Sequence, residues 1–157
     1  MSDTAEITVE CNPSGDNFEE FILCCKQAGV NRISLGMQSA VDNERKKLGR
    51  RADRDTIHRR VEFIKSVGIS NISLDVMLGV PEQTMESLDS TLSFVLSLDV
   101  PHISAYILKI EEGTPFYKLL DKLSLADEDT VSDMYLHMCR VFEQAGFIHY
   151  EISNFCK

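Results

Sequence analysis

The stretch "NISLDVMLG", residues 71–79, predicts a buried β-strand that carries an acidic residue in its middle. Asp75 stands between Leu74 and Val76 in this apolar run. A carboxylate inside an apolar run is costly to bury unless a partner binds it. Asp75 is therefore the first candidate functional residue of the sequence, and its partner has to be identified.

The size and charge of the chain narrow the class of protein. Its 157 residues are enough for a single domain. The hydrophobic fraction of 43% and the charged fraction of 26% are ordinary for a soluble globular protein. A formal net charge of −9 argues against binding to nucleic acids or to anionic membranes. The composition favours a small-molecule or protein partner.

Targeting signals and cysteine usage indicate the compartment. The N-terminus "MSDTAEITVE" lacks the basic and apolar regions of a signal peptide. No apolar run approaches the roughly 18 residues that span a bilayer. The five cysteines, at positions 11, 24, 25, 139 and 156, lack the spacing of a disulfide framework or a zinc site. We therefore predict a cytoplasmic protein without a membrane span.

Four short segments of the chain resemble one another. They are "AGVNRISLG" (28–36), "VGISNISLD" (67–75), "LDVPHISAY" (98–106) and "AGFIHYEIS" (145–153). Each has a helix-ending residue, usually Gly, followed by a strand, and each follows a segment with helical periodicity. With a further strand at Glu6–Glu10, the order is β-α-β-α-β-α-β-α-β. This alternation predicts a single α/β domain over residues 1–157, built on parallel strands, with a surface excursion between residues 111 and 129.

Polar side chains stand at the predicted carboxyl ends of three strands. They are Glu10, Gln38 and Asp75. Ligands of open or barrel-like α/β folds bind at these ends, so three polar groups at equivalent depths favour one shared ligand. Carboxylates and amides accept hydrogen bonds from ribose hydroxyls or from an ammonium group. The alternative is that each residue caps a local loop or satisfies neighbouring backbone groups.

A basic run, "KKLGRRAD", follows the second strand. Most of its charges are typical of a solvated surface, but an arginine just beyond a strand end could bind a ligand carboxylate with two hydrogen bonds. Spacing alone does not choose between Arg50 and Arg51. The four histidines form no metal-spaced pair, and no catalytic nucleophile pattern is present. We therefore predict neither a catalytic residue nor a metal ligand in this chain.

Six motifs together resemble the radical S-adenosylmethionine family. They are, in order, "EITVECNP", "GVNRISLGMQS", "LGRRAD", "ISLDVMLGVPEQT", "HISAYILKIEEGTPFY" and "YEISNF". They cover nearly the whole chain and resemble the group around oxygen-independent coproporphyrinogen III oxidase and its haem-chaperone relatives. The segments "EEGTPFY" and "YEISNF" are more similar to the haem-chaperone branch.

The resemblance implies a fold and a cofactor site. The fold would be a partial (β/α) barrel with parallel strands, part of a three-quarter TIM-like barrel that holds S-adenosylmethionine beside a [4Fe–4S] cluster. Four residues match positions that contact S-adenosylmethionine in this family. Gln38 and Asp75 would bind the ribose hydroxyls, Arg50 the methionyl carboxylate, and Glu10 nearby polar atoms of the same ligand.

The sequence also departs from the family. The C-x3-C-x2-C loop that holds the cluster and the glycine-rich strand that binds the cofactor's amino group are both missing. We therefore expect an incomplete radical SAM core, lacking the first βα units and the C-terminal domain and inactive alone. The complete protein is expected to be haem chaperone-like, with haem and a haem-acceptor protein as partners. Alternatives are a coproporphyrinogen III oxidase and a non-enzymatic α/β binding module that has lost the cluster.

Overall fold

The computed structural model describes residues 5–114 and 116–157. The first four residues of the N-terminal segment and position 115 in "EEGTPFY" lie outside the described residues. The strands are β1 Thr8–Cys11, β2 Arg32–Gln38, β3 Asn71–Leu78, β4 His102–Ile107, β5 Ile148–Glu151 and β6 Asn154–Cys156. The α-helices are α1 Phe18–Gln27, α2 Asp42–Lys47, α3 Arg54–Ser66, α4 Met85–Ser97 and α5 Glu128–Gln144. A short 3-10 helix, Tyr117–Lys122, occupies the predicted surface excursion.

The described strands form one open sheet in the order β1-β2-β3-β4-β6-β5. Neighbours among β1 to β4 pair in parallel, which confirms the predicted α/β fold with parallel strands. The crossover helices α1, α3 and α4 connect these strands, as the repeat predicted. The short helix α2, after β2, was not predicted, because its six residues are too few to show a helical period.

The prediction that the last strand is also parallel was wrong. The motif "YEISNF" turns back on itself, so that β5 and β6 form an antiparallel hairpin. It is β6 that pairs with β4, antiparallel, with Phe155 opposite Ile103. Phe155 is fully buried and stacks edge-on against Phe142 of α5, whereas every residue of β5 is exposed. Burial of the Phe155 ring therefore places β6, and not β5, beside β4.

Several helix ends follow ordinary capping chemistry. The side chain of Asp53 accepts a hydrogen bond from the backbone N–H of Thr56 at the start of α3, at 2.7 Å. Gly68 follows α3 with a φ of 81°, a left-handed conformation in which glycine is not strained. Within the described ranges, every helix is too short or too polar to cross a lipid bilayer.

The two faces of the sheet differ in chemistry. Alternate residues of a strand point to opposite faces. One face is wholly apolar and packs beneath the helices; its central residues are Ile33, Leu35, Ile72, Leu74, Val76 and Ile103. The other face is polar and partly open; its residues include Ser34, Ser73, Asp75, Ser104 and Tyr106. The polar face is where a ligand of this sheet can bind.

The edges of the sheet lead to a prediction about association. In the described chain β1 and β5 each have a neighbour on one side only. Unpaired strand edges promote association, and Ile148 on β5 is 64% exposed. We therefore expect self-association at tens of micromolar despite the net charge of −9. Light scattering should detect it, and Ile148→Lys should reduce it. A monodisperse wild-type monomer would contradict this expectation.

Candidate functional site

The end of β2 has an unusual backbone. Two residues of β2 stand opposite one of β3, because Gly36 pairs with Asp75 and Gln38 pairs with Val76. Gln38 has a φ of 71°, which is strained for a residue other than glycine. The amide group of Gln38 lies over Gly36, with Nε2 only 3.2 Å from the position that a Cβ at Gly36 would occupy. The absence of a side chain at Gly36 therefore makes room for the Gln38 amide.

The Gln38 side chain has an unsatisfied polar atom. Gln38 is only 5% exposed, and its Oε1 has no hydrogen-bond partner among the residues that the structure describes. Leaving a buried acceptor unpaired costs about 1–3 kcal/mol. A ligand hydroxyl that donates to Gln38 Oε1 would remove this cost, so the strained residue at the end of β2 indicates a binding site.

Asp75 lies on the polar face of the sheet and points away from the helices. The hydroxyl of Ser34, on β2, donates a hydrogen bond to Asp75 Oδ1 at 3.0 Å. Burial raises the pKa of Asp75, and the charge of Glu10 raises it further. Hydrogen bonds from Ser34 and Tyr106 act in the opposite direction and lower the pKa. The residue thus has protein partners, and several of its lone pairs remain for a ligand.

A cleft of 280 Å³ lies at the carboxyl ends of β2, β3 and β4. Its lining includes Gln38, Arg50 and Met77. Arg50 Nη1 lies 3.9 Å from the position of a Cβ at Gly36, so its guanidinium reaches the end of β2. Arg51 lines a different groove. The structure therefore brings Gln38 and Arg50 together in one cleft, whereas Asp75, on β3, is not among the residues that line it.

Glu10 stands apart from this cleft. It pairs with Ser34 on β2, two residues before Gly36, and therefore lies deeper along the sheet than Asp75. It lines a neighbouring groove with Cys11. The expectation of three polar groups at equivalent depths therefore fails for Glu10, because β1 and β3 start at the same level of the sheet and Glu10 is the third residue of β1, whereas Asp75 is the fifth residue of β3. Its charge still reaches the site, since it raises the pKa of Asp75.

A buried polar network under the cleft was missed by the sequence analysis. Glu44, 2% exposed, accepts a hydrogen bond from Ser39 Oγ at 2.6 Å. Gln83 donates to Glu44 at 3.4 Å and to the backbone of Met77 at 3.2 Å, and it accepts from Gly79 N at 2.7 Å. These bonds join the loops after β2 and β3. The network therefore fixes the strand ends on which the cleft is built.

The open polar face also had a signal in the sequence. The repeats "ISLG", "ISLD" and "ISAY" each place a serine between two apolar residues. In the structure Ser34, Ser73 and Ser104 all lie on the polar face. Alternate residues of a strand share a face, so the residue two positions after each serine lies on this face as well.

Comparison with known proteins identifies the family. Residues 2–95 match the family model described as the Radical SAM superfamily. The chain belongs to the radical SAM superfamily. The resemblance predicted from the motifs is therefore confirmed, and this family implies S-adenosylmethionine and a [4Fe–4S] cluster.

Relatives and solved structures add detail. The chain is 39% identical to heme chaperone HemW of Bacillus subtilis over 99% of its length, and 38% identical to heme chaperone HemW of Lactococcus lactis over 96%. It spans 41% and 40% of the lengths of these relatives. Coproporphyrinogen III oxidase of Escherichia coli, a radical SAM enzyme, is similar in structure over 98% of this chain and 35% of its own, with a TM-score of 0.86 at 22% identity. That likeness supports the fold alone.

The polar residues of this radical SAM chain are suited to S-adenosylmethionine. The ligand carries ribose hydroxyls and a carboxylate. The unpaired Gln38 Oε1 and the half-buried Asp75 can accept from hydroxyls, and the Arg50 guanidinium can bind a carboxylate. These two acceptors on β2 and β3, together with the arginine after α2, therefore fit this cofactor.

The same residues do not fit a [4Fe–4S] cluster. No group of three or more His, Cys, Asp or Glu side chains in the described ranges could hold a metal ion. Cys11 is the cysteine closest in sequence to the polar strand ends, but burial raises its pKa to about 12, with smaller increases from Cys25 and Asp75. Burial thus disfavours the thiolate form of Cys11 in the metal-free chain, the form that binds a cluster.

Proposed function

We propose that this chain supplies the S-adenosylmethionine-binding strands of a radical SAM, haem chaperone-like protein. The observation that carries the proposal is the strained Gln38, which has a buried Oε1 without a partner in the described chain and which lines one cleft with Arg50. The two relatives named above are heme chaperones. The complete protein would bind a [4Fe–4S] cluster and haem, deliver haem to an acceptor protein, and act in the cytoplasm, where five free cysteines persist.

Each candidate residue has a role in this proposal. Gln38 and Asp75 accept hydrogen bonds from the ribose hydroxyls. Arg50 binds the methionyl carboxylate. Glu10 binds polar atoms of the same ligand from β1, on the side of the sheet away from β4. We treat residues 1–157 as one α/β domain, an incomplete radical SAM core, because all of its described strands join one sheet.

A second candidate function is a ligand-binding α/β module without radical chemistry. The placement of the cysteines favours it, because Cys24, Cys25 and Cys139 lie on helices that pack outside the sheet. A coproporphyrinogen III oxidase activity is the third reading. The motif "YEISNF", which forms the β5–β6 hairpin, favours the chaperone branch over that oxidase.

Arg50→Ala tests the proposed ligand orientation. The substitution should weaken S-adenosylmethionine binding about tenfold, because one charge-assisted interaction is worth about 1.5 kcal/mol. Binding of 5′-methylthioadenosine, which lacks the carboxylate, should be unchanged. Equilibrium dialysis with both ligands measures the two affinities.

The matched control is Arg51→Ala, since Arg51 is the adjacent arginine and lines a different groove. It should leave both affinities unchanged. Equal losses for the two ligands in Arg50→Ala, or a larger loss in Arg51→Ala, would contradict the assigned role of Arg50.

A further inference from the structure

Asp75 is approached from both neighbouring strands on the polar face. On β3 it pairs directly with Gly36 of β2 and Ser104 of β4. Ser34 lies two residues before Gly36, and Tyr106 lies two residues after Ser104. Ser34 and Tyr106 therefore lie on the same face of the sheet as Asp75, each in a diagonal position on a neighbouring strand. Side chains in such diagonal positions are close enough to interact.

The contact from Ser34 is the better defined of the two. Its Oγ donates to Asp75 Oδ1 at 3.0 Å, and Ser34 is only 7% exposed. A hydrogen bond between two partly buried groups is poorly replaced by water, so the Ser34 hydroxyl fixes the rotation of the carboxylate. Tyr106 is half-buried, and its hydroxyl interacts with the same carboxylate.

We propose that Ser34 is a positioning residue for Asp75, with Tyr106 as a second donor from the opposite strand. Together they keep the carboxylate ionised and turned so that its remaining lone pairs face the ligand. This inference rests on the proposed function, in which Asp75 accepts hydrogen bonds from ribose hydroxyls. A carboxylate offers about four lone-pair positions, so the protein donors leave room for two hydroxyls.

The need for such donors follows from the charges around Asp75. From β1, Glu10 faces it with a negative charge, and Cys11 is a nearby neutral thiol. From β2, the positive charge of Arg32 lowers the pKa of Asp75, and from β4 the Tyr106 hydroxyl lowers it as well. Burial is the largest effect and opposes ionisation. A charged acceptor forms hydrogen bonds about twice as strong as a neutral one, so loss of the charge would weaken ligand binding.

The direct test measures the ionisation of Asp75 in the ligand-free chain. Carbon-13 NMR of labelled aspartate carboxyl groups follows each residue with pH, and Asp75→Asn assigns its signal. Ser34→Ala should raise the pKa of Asp75 by about one pH unit, because a hydrogen bond to the charged form is lost. Ser34→Thr retains the hydroxyl and should restore the wild-type titration.

A second variant and a control distinguish a role in positioning the Asp75 carboxylate from a role in the stability of the fold. Tyr106→Phe should shift the same titration upward by a smaller amount. Ser104→Ala removes another hydroxyl of the polar face, one that bonds Asn154 at 2.8 Å, and should leave Asp75 unchanged. A wild-type titration of Asp75 in Ser34→Ala, or an equal shift in Ser104→Ala, would overturn the inference.

The binding arm distinguishes this inference from the proposed function. S-adenosylmethionine affinity should fall toward acid pH, and Ser34→Ala should move that fall about one pH unit higher. If the wild-type chain does not bind S-adenosylmethionine at any pH, the proposed function fails, and the inference fails with it as a statement about that ligand. If the chain binds the ligand and the fall does not move in Ser34→Ala, only the inference is overturned.

Discussion

Anaerobic reconstitution with iron and sulfide is expected to leave the 157-residue chain without a [4Fe–4S] cluster. A cluster needs about four thiolate-type ligand positions at one site. Cys24 and Cys25 lie on α1, Cys139 on α5, and Cys156 on β6 at the far side of the sheet from β1. Cys11 is the remaining thiol, and burial raises its pKa to about 12.

Iron and sulfide analysis after desalting is the measurement. The expected content is far below one cluster per chain, and Cys11→Ser should not change it. Near-stoichiometric iron and sulfide retained by the wild-type chain, and lost in Cys11→Ser, would contradict the prediction. That result would also remove the main support for a binding module without radical chemistry.

Asp75→Asn is expected to weaken S-adenosylmethionine binding by about tenfold to a hundredfold. The substitution keeps the size of the side chain and removes its charge, so it isolates the role of Asp75 as a charged acceptor. The physical reason is the loss of charge-assisted hydrogen bonds to ligand hydroxyls. Equilibrium dialysis of the folded variant measures the change.

The same substitution should stabilise the ligand-free fold at neutral pH. The folded pKa of Asp75 is raised above its ordinary value of 3.8, mainly by burial. Stability from such a group is fully present below the ordinary pKa and is lost as the pH rises through the folded pKa. Asp75→Asn should therefore raise the melting temperature at pH 7, and the difference should vanish near pH 3.

Asp75→Leu serves as the companion variant. It should also abolish the acceptor, and it removes the desolvated charge from the polar face. If Asp75 had only a structural role, both substitutions would lower the melting temperature and leave the affinity per folded molecule unchanged. Thermal unfolding and dialysis on the same samples distinguish the two outcomes.

The parallel core of the fold could be predicted from the sequence, because β2, β3 and β4 are each preceded by an amphipathic helix and a helix-ending residue. Gly29 and Gly68 both adopt the left-handed conformation that ends a helix. The β5–β6 hairpin could not be predicted from the sequence, since "YEISNF" contains no Asn-Gly or Asp-Gly turn signal. Its pairing depends on burial of Phe155 against Phe142, a contact that only the folded chain makes.

The candidate site was predicted in part. Gln38 ends β2, Arg50 follows in the loop after α2, and Asp75 lies on the adjacent strand β3, so parallel pairing brings the three toward the same part of the sheet. The difference in depth that separates Glu10 from them depends on where each strand begins in the folded sheet, which a single sequence does not encode locally. Glu44 was missed because a glutamate in a six-residue helix has no spacing that marks it as part of a network. For Ser34 the repeated serine of "ISLG", "ISLD" and "ISAY" marks the face of the sheet but not its hydrogen bond to Asp75.

The most direct test of the central claim is an NMR titration of the isotopically labelled wild-type chain with S-adenosylmethionine. Saturable shifts of the backbone signals of Gly36, Gln38 and Asp75 are expected, together with the side-chain amide signal of Gln38. The β5–β6 hairpin should be unaffected. Absence of shifts at millimolar ligand, or shifts confined to that hairpin, would contradict the account.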